Sequence, residues 1–125
     1  MWEPITRVKG STEVRPHGRD AALRVVYAQL SRAPPQEWAE AFSYSPGGVT
    51  LGDGMQLEGA RVSVWAEPNR LEAAVAQIDK RIALANRSYE RNVLPALRAE
   101  DERRRSAERA AADRLAAERA RVKDL

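Results

Sequence analysis

His17 is the only histidine in the chain, and histidine is the side chain best suited to general acid–base chemistry. A Ser–His–Asp triad needs such a base. His17 lies between Pro16 and Gly18, a combination typical of an exposed turn. The chain also has no cysteine, which excludes a thiol nucleophile, thiolate metal ligands and disulfides. We therefore expect neither a catalytic triad nor a zinc site, since zinc takes three or four ligands of these types.

Carboxylates are the next candidates, because paired acids can hold magnesium or act in hydrolysis. Glu37 and Glu40 share one face of a short predicted helix, and Asp53 and Glu58 flank a predicted hairpin. Solvation of the surface explains both pairs more simply, although a carboxylate-based hydrolase remains a third hypothesis. The glycines between residues 47 and 54 lack the Gly-Lys-Ser/Thr of a phosphate-binding loop. We therefore predict no catalytic, cofactor-binding or metal-binding residue, and no enzyme.

Arginines near the C-terminus could contact phosphates, since arginine suits that role. The candidates for phosphate contacts are Arg98, Arg103, Arg104, Arg105 and Arg109. Residues 98–125 nevertheless hold nine basic and seven acidic side chains, and the whole chain has a formal charge of only +3. Interspersed charge of this kind indicates a solvated helix laced with ion pairs. Nucleic-acid binding is therefore the alternative hypothesis.

Apolar residues on the C-terminal helices are the leading candidates for a binding surface. The helix predicted from Asn69 has apolar residues at spacings of three and four, the pattern of an amphipathic helix. Its early part is expected to pack on the domain, and its later part to meet a protein partner or a second copy. The predicted partner-binding residues are Tyr89, Val93, Leu97, Leu115 and Val122.

Strands and turns dominate the first half of the chain that would support these helices. We predict strands over Ile5–Val14 and Ala22–Leu30, which form a hairpin around the Pro16–Gly18 turn, and then a helix over Gln36–Phe42. The second strand has two apolar faces, which indicates a central position in the sheet.

A second hairpin is predicted around Asp53-Gly54, a pair that tolerates a tight turn. Gly59 is assigned to a bulge, and residues 60–66 alternate as a half-buried strand. Asn69 is predicted to cap the following helix together with Glu72. Pro95 is predicted to kink or restart that helix, because it lacks an N–H group.

The order ββαββα predicts an α+β fold, with a four-stranded, mainly antiparallel sheet, helices on one face and a long C-terminal helical extension. We expect an α/β domain over residues 1–94 and a charged extension over 95–125. No apolar run is long enough to span a bilayer, and no signal peptide is evident. The sequence thus predicts a cytoplasmic, non-catalytic interaction module, with a homodimer or another protein as partner and no membrane association.

Overall fold

The computed structural model describes residues 2–43 and 55–125, and its elements confirm the predicted α+β class. The strands are β1 (Glu13–Pro16), β2 (Arg24–Gln29), β3 (Gln56–Glu58) and β4 (Arg61–Ala66). The α-helices are α1 (Gln36–Ser43), α2 (Leu71–Ser88) and α3 (Leu94–Lys123), with a 3₁₀ turn at Pro68–Arg70 and a π-helical segment at Tyr89–Val93. The chain divides into two compact units, Met1–Glu90 and Arg91–Leu125.

The four strands form one antiparallel sheet in the order β1-β2-β4-β3. The predicted hairpin of the first two strands and the central position of β2 are therefore confirmed. Val26 pairs with Val64, and Ala28 with Val62, and all four side chains are buried on the face that α2 covers. The period-two pattern predicted this face, because alternate side chains of a strand point to the same side.

The core of the N-terminal unit lies between the sheet and helices α1 and α2. Trp38 and Phe42 of α1 stack with ring centroids 5.4 Å apart, and Ile78 and Ile82 of α2 are buried with them. The apolar spacing on α2 correctly predicted that Ile78 and Ile82 face the core. Ile5 completes the core, although it belongs to no strand.

The first predicted strand, Ile5–Val14, is wrong in its boundaries. Arg7 forms an isolated β-bridge with Leu30 and belongs to no strand. The chain then turns through Gly10, whose φ is +83°, and β1 begins at Glu13. Ser11 spans this interruption. Its hydroxyl donates to the Val8 carbonyl (2.6 Å) and accepts from the Gln29 N–H (3.0 Å). Pro16, predicted to break the strand, is its last residue, as proline at an edge strand permits.

Gly59 was predicted as a bulge, but it lies in the two-residue turn between β3 and β4. Its φ of +58° falls in the left-handed region that glycine adopts without a steric cost. The predicted turn at Asp53-Gly54 lies outside the described residues.

The capping prediction at Asn69 is wrong. The 3₁₀ turn at Pro68–Arg70 leads into α2, and neither this turn nor α2 has a side-chain cap hydrogen bond. The predicted restart at Pro95 is consistent with a helix whose π-helical segment ends at Val93 and whose α-helical hydrogen bonding resumes from Leu94. A widened turn beside proline accommodates its missing N–H group.

Candidate functional site

His17 accepts two hydrogen bonds from the local backbone. Its Nδ1 accepts hydrogen bonds from the backbone N–H groups of Arg19 (3.0 Å) and Asp20 (2.9 Å). Its ring lies edge-on to Trp65, with 4.8 Å between centroids. These two hydrogen bonds to Nδ1 hold the turn that follows β1.

The carboxylates considered for metal binding are dispersed. Glu40 accepts a hydrogen bond from Gln36 (3.3 Å), and Glu58 pairs with Arg61 across the β3–β4 turn (3.8 Å). Asp53 lies outside the described residues. Over residues 2–43 and 55–125, no group of three or more acidic or histidine side chains lies close enough to hold a metal ion.

Helix α3 exposes the most extended candidate surface. It has 30 residues, which corresponds to about 45 Å of helix, and none of them is buried. The side chains of Leu115 and Val122 are 45% and 63% exposed to solvent. At about 100° per residue, Leu97, Leu115 and Val122 fall on one line along the helix. We call this line, with Ala111 between the two leucines, the α3 stripe.

A charged cluster occupies the N-terminal half of the α3 stripe, after Leu97. Asp101, Arg104 and Glu108 stand at the intervening three- and four-residue spacings between Leu97 and Ala111. Arg104 pairs with Asp101 and, at 3.9 Å, with Glu108. The remaining apolar members of the stripe, Ala111, Leu115 and Val122, lie C-terminal to this cluster, with Glu118 at the position between the last two.

The five arginines predicted to contact phosphates do not share one face of α3. Arg98, Arg105 and Arg109 lie within about 40° of one another, whereas Arg103 lies on another side and Arg104 falls within the α3 stripe. Arg105 is moreover paired with Asp101 at 3.2 Å. Acidic residues thus pair with Arg104 and Arg105, two of the five arginines on which the nucleic-acid hypothesis depends.

Two of the predicted partner-binding residues lie before α3 begins. Tyr89 is buried in the N-terminal unit, where its ring lies 4.4 Å from that of Trp2. Val93, the last residue of the π-helical segment, is half-buried. Tyr89 therefore belongs to the core of the N-terminal unit rather than to an exposed surface.

Sequence reasoning missed two features of the N-terminal unit. One is a polar junction at Asn86. Its side chain accepts hydrogen bonds from Trp38 Nε1 (2.8 Å) and the Ile5 N–H (3.0 Å), and donates to the Ile5 carbonyl (2.8 Å). The other is the position of β1 at the edge of the sheet. The periodicity of apolar residues indicates which face of an element is buried. It gives no signal for a long-range polar contact or for which strand lies at an edge.

No helix in the described part of the chain is both long and apolar enough to cross a membrane. Comparison with known proteins finds no family model, no curated protein and no solved structure that matches this chain.

Proposed function

We propose that this protein is a non-catalytic interaction module that assembles through α3 with a protein partner or with a second copy of itself. The observation that carries the proposal is the α3 stripe: apolar side chains are aligned on a 30-residue helix that has no buried residue. Apolar residues that recur on one face of a helix are the anchors with which helices pack against partner helices or grooves. A cytoplasmic location, expected from the sequence, is part of this proposal.

The charged cluster at Asp101, Arg104 and Glu108 bears on how such a partner would sit. Polar residues within an otherwise apolar seam favour the one register in which they are matched, and they lower the affinity of the others. The apolar contact would then come from Ala111 to Val122, with the charged cluster selecting the partner or its register. This arrangement favours a specific, moderate-affinity contact over a continuous coiled coil.

Substitutions on the α3 stripe test the proposal. We expect Leu115→Glu together with Val122→Glu to weaken association at least tenfold, because each charge must be desolvated at the interface. Ala110→Glu together with Ala117→Glu is the matched control: it adds the same two charges with the same seven-residue spacing, on nearly the opposite side of the helix. Sedimentation equilibrium of the full chain measures self-association, and capture from cell extract compares bound proteins between the two variants.

The proposal is supported if the stripe variant loses mass or captured protein that the control retains. It fails if wild-type chain and both double variants are equally monomeric and capture the same proteins, since the stripe would then have no binding role.

The nucleic-acid alternative makes a different prediction. Phosphate contacts release counterions, so binding through Arg98, Arg105 and Arg109 would fall steeply as salt rises. We expect no such binding, because Asp101 pairs with Arg105, and Glu102 and Glu108 lie beside the same face. Fluorescence anisotropy with labelled single- and double-stranded oligonucleotides at low and physiological salt measures it. Salt-sensitive binding that is lost on replacing those three arginines with glutamine would establish the alternative instead.

A further inference from the structure

Strand β1 lies at one edge of the sheet. It pairs with β2 only, and no other strand among residues 2–43 and 55–125 lies beside it. The hydrogen bond from the His17 N–H to the Leu23 carbonyl (3.3 Å) continues the β1–β2 ladder. Because hydrogen-bonded pairs alternate in an antiparallel ladder, Glu13 and Arg15 direct their backbone groups toward β2. The N–H and C=O of Val14 therefore point outward, where another strand could pair with them.

An apolar groove runs along this edge on the helix-covered face. It is lined by Val14, Val26, Leu71 and Val75, with Thr12 and Glu72 at its margins. Val14 retains 49% of its exposed surface, although its cross-strand neighbour Val26 is buried. An edge with outward backbone groups beside an apolar groove is the arrangement by which proteins add a further strand to a sheet.

The charges on β1 indicate which strand fits. Glu13 and Arg15 flank Val14 on the opposite, open face, and their side chains pair with each other at 2.9 Å. Both are well exposed. When two such strands run antiparallel about a two-fold axis at Val14, each Glu13 stands directly opposite the Arg15 of the other strand. Opposite charges at facing positions stabilise antiparallel pairs, and like charges destabilise them.

We propose that β1 pairs antiparallel with β1 of a second copy of this chain, joining the two sheets across a two-fold axis at Val14. The outward N–H and C=O of Val14 exchange hydrogen bonds with their symmetry mates, and the two Val14 side chains enter the paired grooves. Thr12 stands opposite Pro16 of the second copy. Because Pro16 has no N–H group, the ladder ends there, which confines the pairing to Thr12–Pro16. This contact belongs to the N-terminal unit and does not depend on the α3 stripe.

Charge reversal at Glu13 and Arg15 tests this pairing. All variants are made in full-length chain that also carries Leu115→Glu and Val122→Glu, so that association through α3 does not contribute. We expect this background chain to form a concentration-dependent dimer. Either Glu13→Arg or Arg15→Glu alone is expected to raise the dissociation constant of that dimer by about tenfold, because each places like charges opposite one another at two positions. The double swap Glu13→Arg with Arg15→Glu restores the dimer.

Mixing the two single variants tests directly whether residues 13 and 15 face each other across the dimer. One variant presents two arginines and the other two glutamates, so their equimolar mixture forms a heterodimer although each alone dissociates. Sedimentation velocity over micromolar to sub-millimolar concentrations measures all of these species. Recovery in the mixture supports the pairing, because a change confined to one chain cannot be rescued by another. A monomeric background chain, a dimer insensitive to both single reversals, or a mixture that stays dissociated would each overturn it.

Discussion

Replacing Trp38 with alanine is expected to lower the free energy of unfolding of this protein by about 3–5 kcal/mol. Trp38 is fully buried, stacks on Phe42, and donates its indole N–H to Asn86. Alanine removes the ring and leaves a cavity in the layer between α1 and α2. Small domains have free energies of unfolding of about 5–15 kcal/mol, so this single change removes a large share of the total.

Two further variants make the Trp38 result interpretable. Trp38→Phe keeps an aromatic ring beside Phe42 but loses the donated hydrogen bond, and we expect it to cost about 1–2 kcal/mol. Trp65→Ala is the half-exposed control: Trp65 is 46% exposed and its ring contacts His17, and we expect a loss well below that of Trp38→Ala. Urea unfolding followed by near-ultraviolet circular dichroism gives each value. A Trp38→Ala loss no greater than that of Trp65→Ala would contradict the packing described for the core.

The sheet and the helices were largely predictable from the sequence, because burial of one face imposes a period on each element. Val62 and Val64 alternate on β4 with exposed residues, and Ile78 and Ile82 recur at the helical spacing of α2. These patterns fix which side of an element faces the core. Together with the turn at Pro16–Gly18 they predict the α+β class and the antiparallel pairing of β1 with β2.

The N-terminal segment was not predictable in the same way. Residues 5–14 alternate like a strand, but Gly10 turns the chain with a positive φ and Ser11 replaces a ladder contact with its hydroxyl. The apolar character of Ile5 reflects a place in the core beside α2 rather than in a strand. A period-two pattern cannot distinguish a continuous strand from two short extended pieces separated by a turn.

The candidate surfaces also differ in how far the sequence predicts them. The α3 stripe is visible in the sequence because Leu97, Leu115 and Val122 recur with the period of a helix. The sequence could not show that the Tyr89 ring packs against Trp2, since a contact between residues so far apart leaves no local pattern. Likewise, the outward groups of Val14 depend on the register between β1 and β2, which is set by the fold as a whole.

The junction at Asn86 joins three parts of the N-terminal unit that lie far apart in the sequence. Its amide oxygen serves Ile5 of the N-terminal segment and Trp38 of α1, and its amide nitrogen serves the Ile5 carbonyl. A carboxamide carries an accepting oxygen and a donating nitrogen in one planar group, so it can accept and donate at the same time in this way. Removing it would leave a backbone N–H, a backbone C=O and an indole N–H without partners in a partly buried site, and such groups are costly to leave unpaired.

We therefore expect Asn86→Ala to lower the free energy of unfolding by about 2–4 kcal/mol. Asn86→Asp keeps the size and the accepting oxygen but turns a second oxygen toward the Ile5 carbonyl, so it is also destabilising at neutral pH. Its deficit should shrink as the pH is lowered, because a protonated carboxyl can donate to that carbonyl as the amide does. Asn69→Ala is the control, with an expected change below about 0.5 kcal/mol, because Asn69 makes no cap hydrogen bond. Urea unfolding at neutral and mildly acidic pH measures all three. Equal losses for Asn86→Ala and Asn69→Ala would show that the junction does not hold the N-terminal segment in place.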